Sequence, residues 1–175
     1  ISDLEWYTAN GRSEFAVVMI ENTGANAAGW WWYYGKTDPE LKNLYNSHKA
    51  RITDLEHRVI NGQTQFAAVM IQNTGANQQG WWWYYGKTDD ELKDLYNENG
   101  ARITDIERYT NSKGEQRFAA VMTKSTGLYW WWYFGQDEDQ VNKLWAQNGA
   151  RIIDVPRYSA NGKTLFAVVM LNNSN

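Results

Sequence analysis

Four aspartates, Asp3, Asp54, Asp105 and Asp154, recur about once every 50 residues, and Glu5, Glu56 and Glu107 follow the first three at a spacing of two. Paired carboxylates are the equipment of a glycosidase, which needs two of them facing each other across a substrate in different protonation states. A pair copied once per repeat has no such asymmetry, and the last copy puts Pro156 where the glutamate would be. Arg51, Arg102 and Arg151 stand three residues ahead of the later aspartates. An architectural ion pair or turn contact is therefore the expectation for this motif. The two histidines, His48 and His57, do not recur at equivalent positions and are expected at the surface rather than on a metal. There is no cysteine, no G-x-S-x-G turn and no phosphate-binding glycine loop. The reading assigns no catalytic residue, no metal site and no cofactor.

The chemistry that does recur is aromatic. GWWWYYGKT stands at 29–37 and again at 80–88, and YWWWYFGQD covers 129–137. Side chains alternate along a strand, so Trp30, Trp32 and Tyr34 share one side and Trp31 and Tyr33 the other. Tyr34 and Tyr85 become Phe134, whereas Tyr33, Tyr84 and Tyr133 keep the hydroxyl. A dispensable hydroxyl suits a buried face, and a retained one suits a wet or hydrogen-bonded face. Trp30, Trp32 and Tyr34 are thus expected in the core. Trp31 with Tyr33, Trp82 with Tyr84, and Trp131 with Tyr133 are expected toward a groove, as candidate ligand-binding residues. The alternative is that sheets or helices cover both sides and every ring is core. Polar loops precede two of these strands. Their Asn26 and Asn77 are candidates to bond a sugar hydroxyl or a peptide amide, although Asn and Thr in such loops equally shape their own turns.

These residues must be positioned by a repeat. Copies are assigned to 1–50, 51–101 and 102–150, with a half copy at 151–175, all in a single repeat domain. In each, a strand, an Asn-Gly turn and a second strand predict a tight hairpin; the third copy has the longer NSKG. The second strand is apolar on both faces, with Phe66, Ala68 and Met70 alternating with Ala67, Val69 and Ile71, and so belongs in the middle of a covered sheet. All four methionines occupy one equivalent position in it. After the aromatic strand, TDDELKDLYNENG reads as a helix capped by Thr88 or Asp89 and closed by Gly100. The hairpin occurs four times but the aromatic strand and helix only three. The predicted architecture is α+β and β-rich: repeats of β-β-β-α, equivalently three strand–helix–strand–strand units behind a hairpin cap, in an open half-barrel or superhelical array.

The order ARITDLE, hairpin, FAAVMI, NTG, GWWWYYG and helix resembles a bacterial and fungal tandem-repeat family, similar to the N-terminal repeat domain of the polyglycine hydrolases. In that family the repeats commonly precede a serine hydrolase domain of the β-lactamase type. The resemblance implies a secreted, accessory recognition or scaffold domain. It implies no hydrolase activity here, because no serine of this chain has a lysine three residues on.

Composition narrows the partners. The net charge is −3 with both signs mixed, which gives no basic stripe for a nucleic acid. No apolar run reaches the length of a membrane span. The functional expectation is a non-catalytic, lectin-like binding module, extracellular, using aromatic strands on a glycan or a repetitive peptide. Three equivalent sites would give avidity for a repetitive polymer. The alternative is an accessory scaffold for an attached hydrolase domain, with no ligand of its own. Each inner copy places Arg just before the equivalent of Ile1, so cleavage after an arginine is expected to have produced that start.

Overall fold

A computed structural model of the chain describes residues 1–173. Residues Ile1–Gly80 form one compact unit and Trp81–Asn175 another.

The first unit opens with β1 (Asp3–Ala9) and β2 (Arg12–Val18), an antiparallel hairpin. Asn10 and Gly11 at its tip have φ of 50° and 73°. Two left-handed residues make the turn whose twist matches the flanking strands, which is why Asn-Gly is found there. After a single 3-10 turn come β3 (Trp30–Lys36), helix α1 (Asp38–His48), and the hairpin of β4 (Ala50–Ile60) and β5 (Gln63–Gln72). These strands form one antiparallel sheet in the order β3-β5-β4. Trp30 lies opposite Ile71, Trp31 opposite Met70, Trp32 opposite Val69 and Tyr33 opposite Ala68. Beyond Tyr33 the register slips and Lys36 meets Phe66. Gly35, at φ 64°, sits in the slip and ends the aromatic run with a bulge.

Helix α1 begins with a capping box. Glu40 Oε2 accepts from the Thr37 backbone N–H at 2.8 Å, which satisfies an amide that the first turn would otherwise orphan. It ends at Lys49, held left-handed at φ 49° and ψ 46°. Leu41 is the helix residue wholly withdrawn from water. On the opposite side of the sheet, Leu4 and Trp6 of β1 pack onto Ala67 and Val69 of β5. The central strand is therefore covered on both faces, as its double-sided apolar pattern requires.

The second unit repeats the strand–helix–strand–strand plan twice. Its first half is β6 (Trp81–Lys87), α2 (Asp89–Asn99), β7 (Ala101–Thr110) and β8 (Gln116–Lys124). Its second half is β9 (Trp130–Gln136), α3 (Glu138–Asn148), β10 (Ala150–Asp154), β11 (Arg157–Ala160) and β12 (Lys163–Asn172). Pro156 splits the strand that is continuous in the other copies into β10 and β11, since proline cannot donate to a ladder. In each half the aromatic strand pairs with the second hairpin strand in the register of the first unit, Trp82 opposite Met122 and Trp131 opposite Met170. The two sheets share a core: Ile103, Ile106, Phe118, Ala120 and Met122 against Ala167 and Val169, with Leu92 of α2 at its side.

The sheets are open and antiparallel, and the protein is a β-rich α+β repeat array. The strand–helix–strand–strand unit and the hairpin ahead of it stand as the sequence predicts.

Candidate functional site

The repeated aspartates all stand on strands, with Asp3 exposed. Asp154 Oδ2 accepts the backbone N–H of Ile106 at 2.6 Å and so stitches β10 to the preceding hairpin. Asp54, Glu56 and Asp105 are all buried. Of the two expectations for the arginines, the turn contact holds at Arg51. Its guanidinium donates to the carbonyl of Asn77 at 3.0 Å and reaches Asn73 Oδ1 at 3.4 Å. The loop closes on itself as well: Asn73 Nδ2 donates to the Gln79 carbonyl at 3.1 Å and Asn73 Oδ1 accepts from Gln79 N at 3.0 Å. Asn22 makes the same two bonds to Ala28 at 3.1 and 2.9 Å. Asn77 is exposed on this loop, and the Asn26 side chain lies outside the described part of the structure. Among the described residues, no three acidic or histidine side chains gather as a metal site, and no helix is long and apolar enough to cross a membrane.

The aromatic faces are not divided as the sequence reading expects. The middle pair faces its own helix. The Trp31 ring stacks on the His48 imidazole with centroids 4.3 Å apart, and Tyr33 Oη lies 2.8 Å from His48 Nε2. In the next copies the same hydroxyl accepts from Asn99 Nδ2 at 3.0 Å and from Asn148 Nδ2 at 3.1 Å. Trp131 and Tyr133 pack with Val141, Leu144, Met170 and Phe166 under α3. Trp31, Tyr33, Trp82, Tyr84, Trp131 and Tyr133 are half-buried rather than open. The retained hydroxyl thus marks a hydrogen bond to the helix, and His48, expected at the surface, is part of this stack.

The outer set faces the preceding hairpin. In the first unit Phe15 meets Trp32 at 5.6 Å and Tyr34 at 5.3 Å between centroids. A two-stranded hairpin is too narrow to cover three rings, so Trp30, Trp32 and Tyr34 remain 41%, 38% and 54% exposed. The expectation that this set is core is corrected here. In the second unit Phe118 meets Trp132 at 5.5 Å and Phe134 at 5.3 Å, and there the phenylalanine is fully buried.

The outer set also lines concave surface. A cleft of about 340 Å³ runs between α2 and β9, bounded by Asp89, Asp90, Lys93 and Tyr96 on the helix and by Trp132, Tyr133, Phe134 and Gln136 on the strand. Tyr96 and Trp132 continue into a second depression lined by Trp130 and Trp131. In the first unit the corresponding residues Trp32, Tyr33, Tyr34, Gly35 and Lys36 line a concavity of their own. β9 pairs with β12 and, among the described residues, with no other strand, and its Phe134 carbonyl accepts from Gln136 Nε2 at 2.7 Å. The cleft brings Tyr133 together with neighbours that the sequence reading left out. Tyr96 was legible only as part of the helix's apolar face. Asp89, Asp90 and Lys93 carry no signal beyond an ordinary solvated helix start.

One sequence comparison identifies the repeat. Residues 78–125 match the profile of the polyglycine hydrolase-like structural repeat. Over that stretch the chain is similar to this family's repeat. No curated protein sequence matches the chain. The matched stretch takes in β6, α2, β7 and β8, one complete strand–helix–strand–strand unit. The match to a structural repeat agrees with an aromatic-rich repeat module.

Proposed function

We propose that this module binds an extended extracellular polymer along its aromatic strands, and that the polymer is a repetitive peptide. The observation that carries this reading is the β9 cleft. It offers an unpaired strand edge for main-chain hydrogen bonds and the rings of Trp132, Phe134 and Tyr96 for packing. Strand addition of this kind draws affinity from main-chain bonds and specificity from side-chain pockets. A glycan would use the ring faces but leave the strand edge unpaired. The family name supplies one probe, oligoglycine.

The test is titration of the protein with oligoglycine and with soluble β-glucan oligomers, followed by tryptophan fluorescence and amide NMR. The reading predicts shifts at the amides of β9 with the peptide, and at least about tenfold weaker binding for Trp132→Ala. Binding of the glycan alone would replace the peptide by a sugar. No response to either probe would remove the recognition role.

A second reading has support from the family description as a structural repeat: an accessory scaffold for a secreted serine hydrolase. Its signature is an attached hydrolase domain whose thermal stability falls when the repeats are removed while these probes stay unbound.

A further inference from the structure

The four hairpins are near copies, FAVVMI at 15–20, FAAVMI at 66–71, FAAVMT at 118–123 and FAVVML at 166–171, yet one of them is incomplete in space. β5, β8 and β12 each carry an aromatic strand on one edge. β2 pairs with β1 and, among the described residues, with nothing else. The consequences are local and consistent. β5 runs to Gln72, but β2 stops at Val18, whose counterpart is Val69, three residues short of that length. Met70, Met122 and Met170 are 0% exposed, whereas Met19 is 67% exposed. Val17, Val18 and Ile20 beside it are exposed too. In the last copy the equivalent face, Phe166, Val168 and Met170, is covered by Trp131 and Tyr133 of the aromatic strand and by Val141 and Leu144 of its helix. The β2 face thus has the residues of a covered surface and lacks the element that covers it elsewhere.

We propose that the free edge of β2 is a docking site for an aromatic strand–helix half-repeat with the pattern of Gly29–Lys49. The register follows from the three filled examples: the first tryptophan opposite Ile20, the second opposite Met19, the third opposite Val18 and the tyrosine opposite Val17. The strand supplies the missing ladder, which blunts an edge that otherwise templates aggregation, and the helix seals Met19. A second copy of this chain is a poor occupant, because its three aromatic strands are already engaged with β5, β8 and β12. The fitting partner is a segment with three consecutive tryptophans, a glycine bulge and an amphipathic helix, not already paired to a hairpin of its own. This site is separate from the β9 cleft, and neither proposal depends on the other.

The experiment labels the methionine methyl groups of the whole protein with carbon-13, which gives one probe per hairpin. The added ligand is a synthetic peptide of residues 28–49. The expected result is a saturable one-to-one upfield shift of the Met19 methyl, as an indole comes to lie over it, with the other three methyls unmoved. Val17→Lys, at an exposed position, should weaken the peptide at least about tenfold and leave the three buried methyls in place. A peptide with its tryptophans replaced by serine should produce no shift. A Met19 signal that stays still at saturating peptide overturns the proposal. So does a Met19 shift that depends on protein concentration without peptide, which would give the edge to a second copy. A shift of Met70 instead would mean exchange of β3, and overturns it as well.

Discussion

The Tyr33 hydroxyl meets His48 Nε2 at 2.8 Å, and at the equivalent place in the next two copies a tyrosine hydroxyl meets Asn99 and Asn148. A strand residue and the last turn of the following helix are thereby locked together in all three repeats, with two different side chains doing the same work. Removing the hydroxyl with Tyr84→Phe should cost about 1 kcal/mol, since it leaves a half-buried amide short of a partner. His48→Asn should retain more stability than His48→Ala, because asparagine is the residue the other copies use. Denaturant unfolding of the three variants checks both statements.

His57 gives the fold a pH dependence. Burial, with Arg58 beside it, pushes its pKa down from 6.5 to about 4. The folded state therefore holds the neutral imidazole more firmly than the unfolded chain does. Stability from this residue is fully present above pH 6.5 and is lost as the pH falls from 6.5 toward about 4. At about 1.4 kcal/mol per pKa unit the loss approaches about 3 kcal/mol. Unfolding midpoints between those pH values should show the slope in the parent protein and a flatter one in His57→Gln.

Lys49 closes α1 in the left-handed region at φ 49°, where Gly100 and Gly149 close α2 and α3. A side chain in that conformation costs about 1 kcal/mol that glycine does not incur. Lys49→Gly is expected to raise the unfolding free energy by about that amount, and Gly100→Lys to lower it. Thermal melts of the pair provide the comparison.

Phe118 is fully buried and touches Trp132 and Phe134, whereas its counterpart Phe15 is only half-buried against Trp32 and Tyr34. Phe118→Ala should cost about 3–5 kcal/mol, and Phe15→Ala clearly less, because the second site has water already at its side. The first variant should also redden tryptophan emission as Trp132 loses its wall. Equal costs at the two sites would contradict the burial described for β2.

The sequence carried most of the fold. Asn-Gly pairs fixed the hairpin turns, the double-sided apolar run placed β5 in the centre of its sheet, and the copy count separated the leading hairpin from the strand–helix–strand–strand units. The aromatic faces were harder. The alternation of Trp30 to Tyr34 divides them into two sets, but which set the helix covers depends on how α1 crosses back over the sheet. No local pattern encodes that crossing. The Tyr-to-Phe change at Phe134 pointed to dryness, and in the third copy that ring does pack on Phe118. The same position in the first copy, Tyr34, faces a narrower hairpin and stays wet. The β9 cleft was illegible for a related reason: it needs α2 of one repeat beside the strand of the next, a contact between segments about 40 residues apart in a chain whose repeats look self-contained.

Every aromatic strand finds its hydrogen-bonded neighbour in the second hairpin strand beyond its own helix, in the same alignment each time. A gene encoding such a protein can gain or lose a whole period by unequal recombination and rebuild an identical ladder across the join. Copy number is then free to drift without leaving a structural scar, and orthologues of different length should show seams that cannot be told from any other repeat boundary.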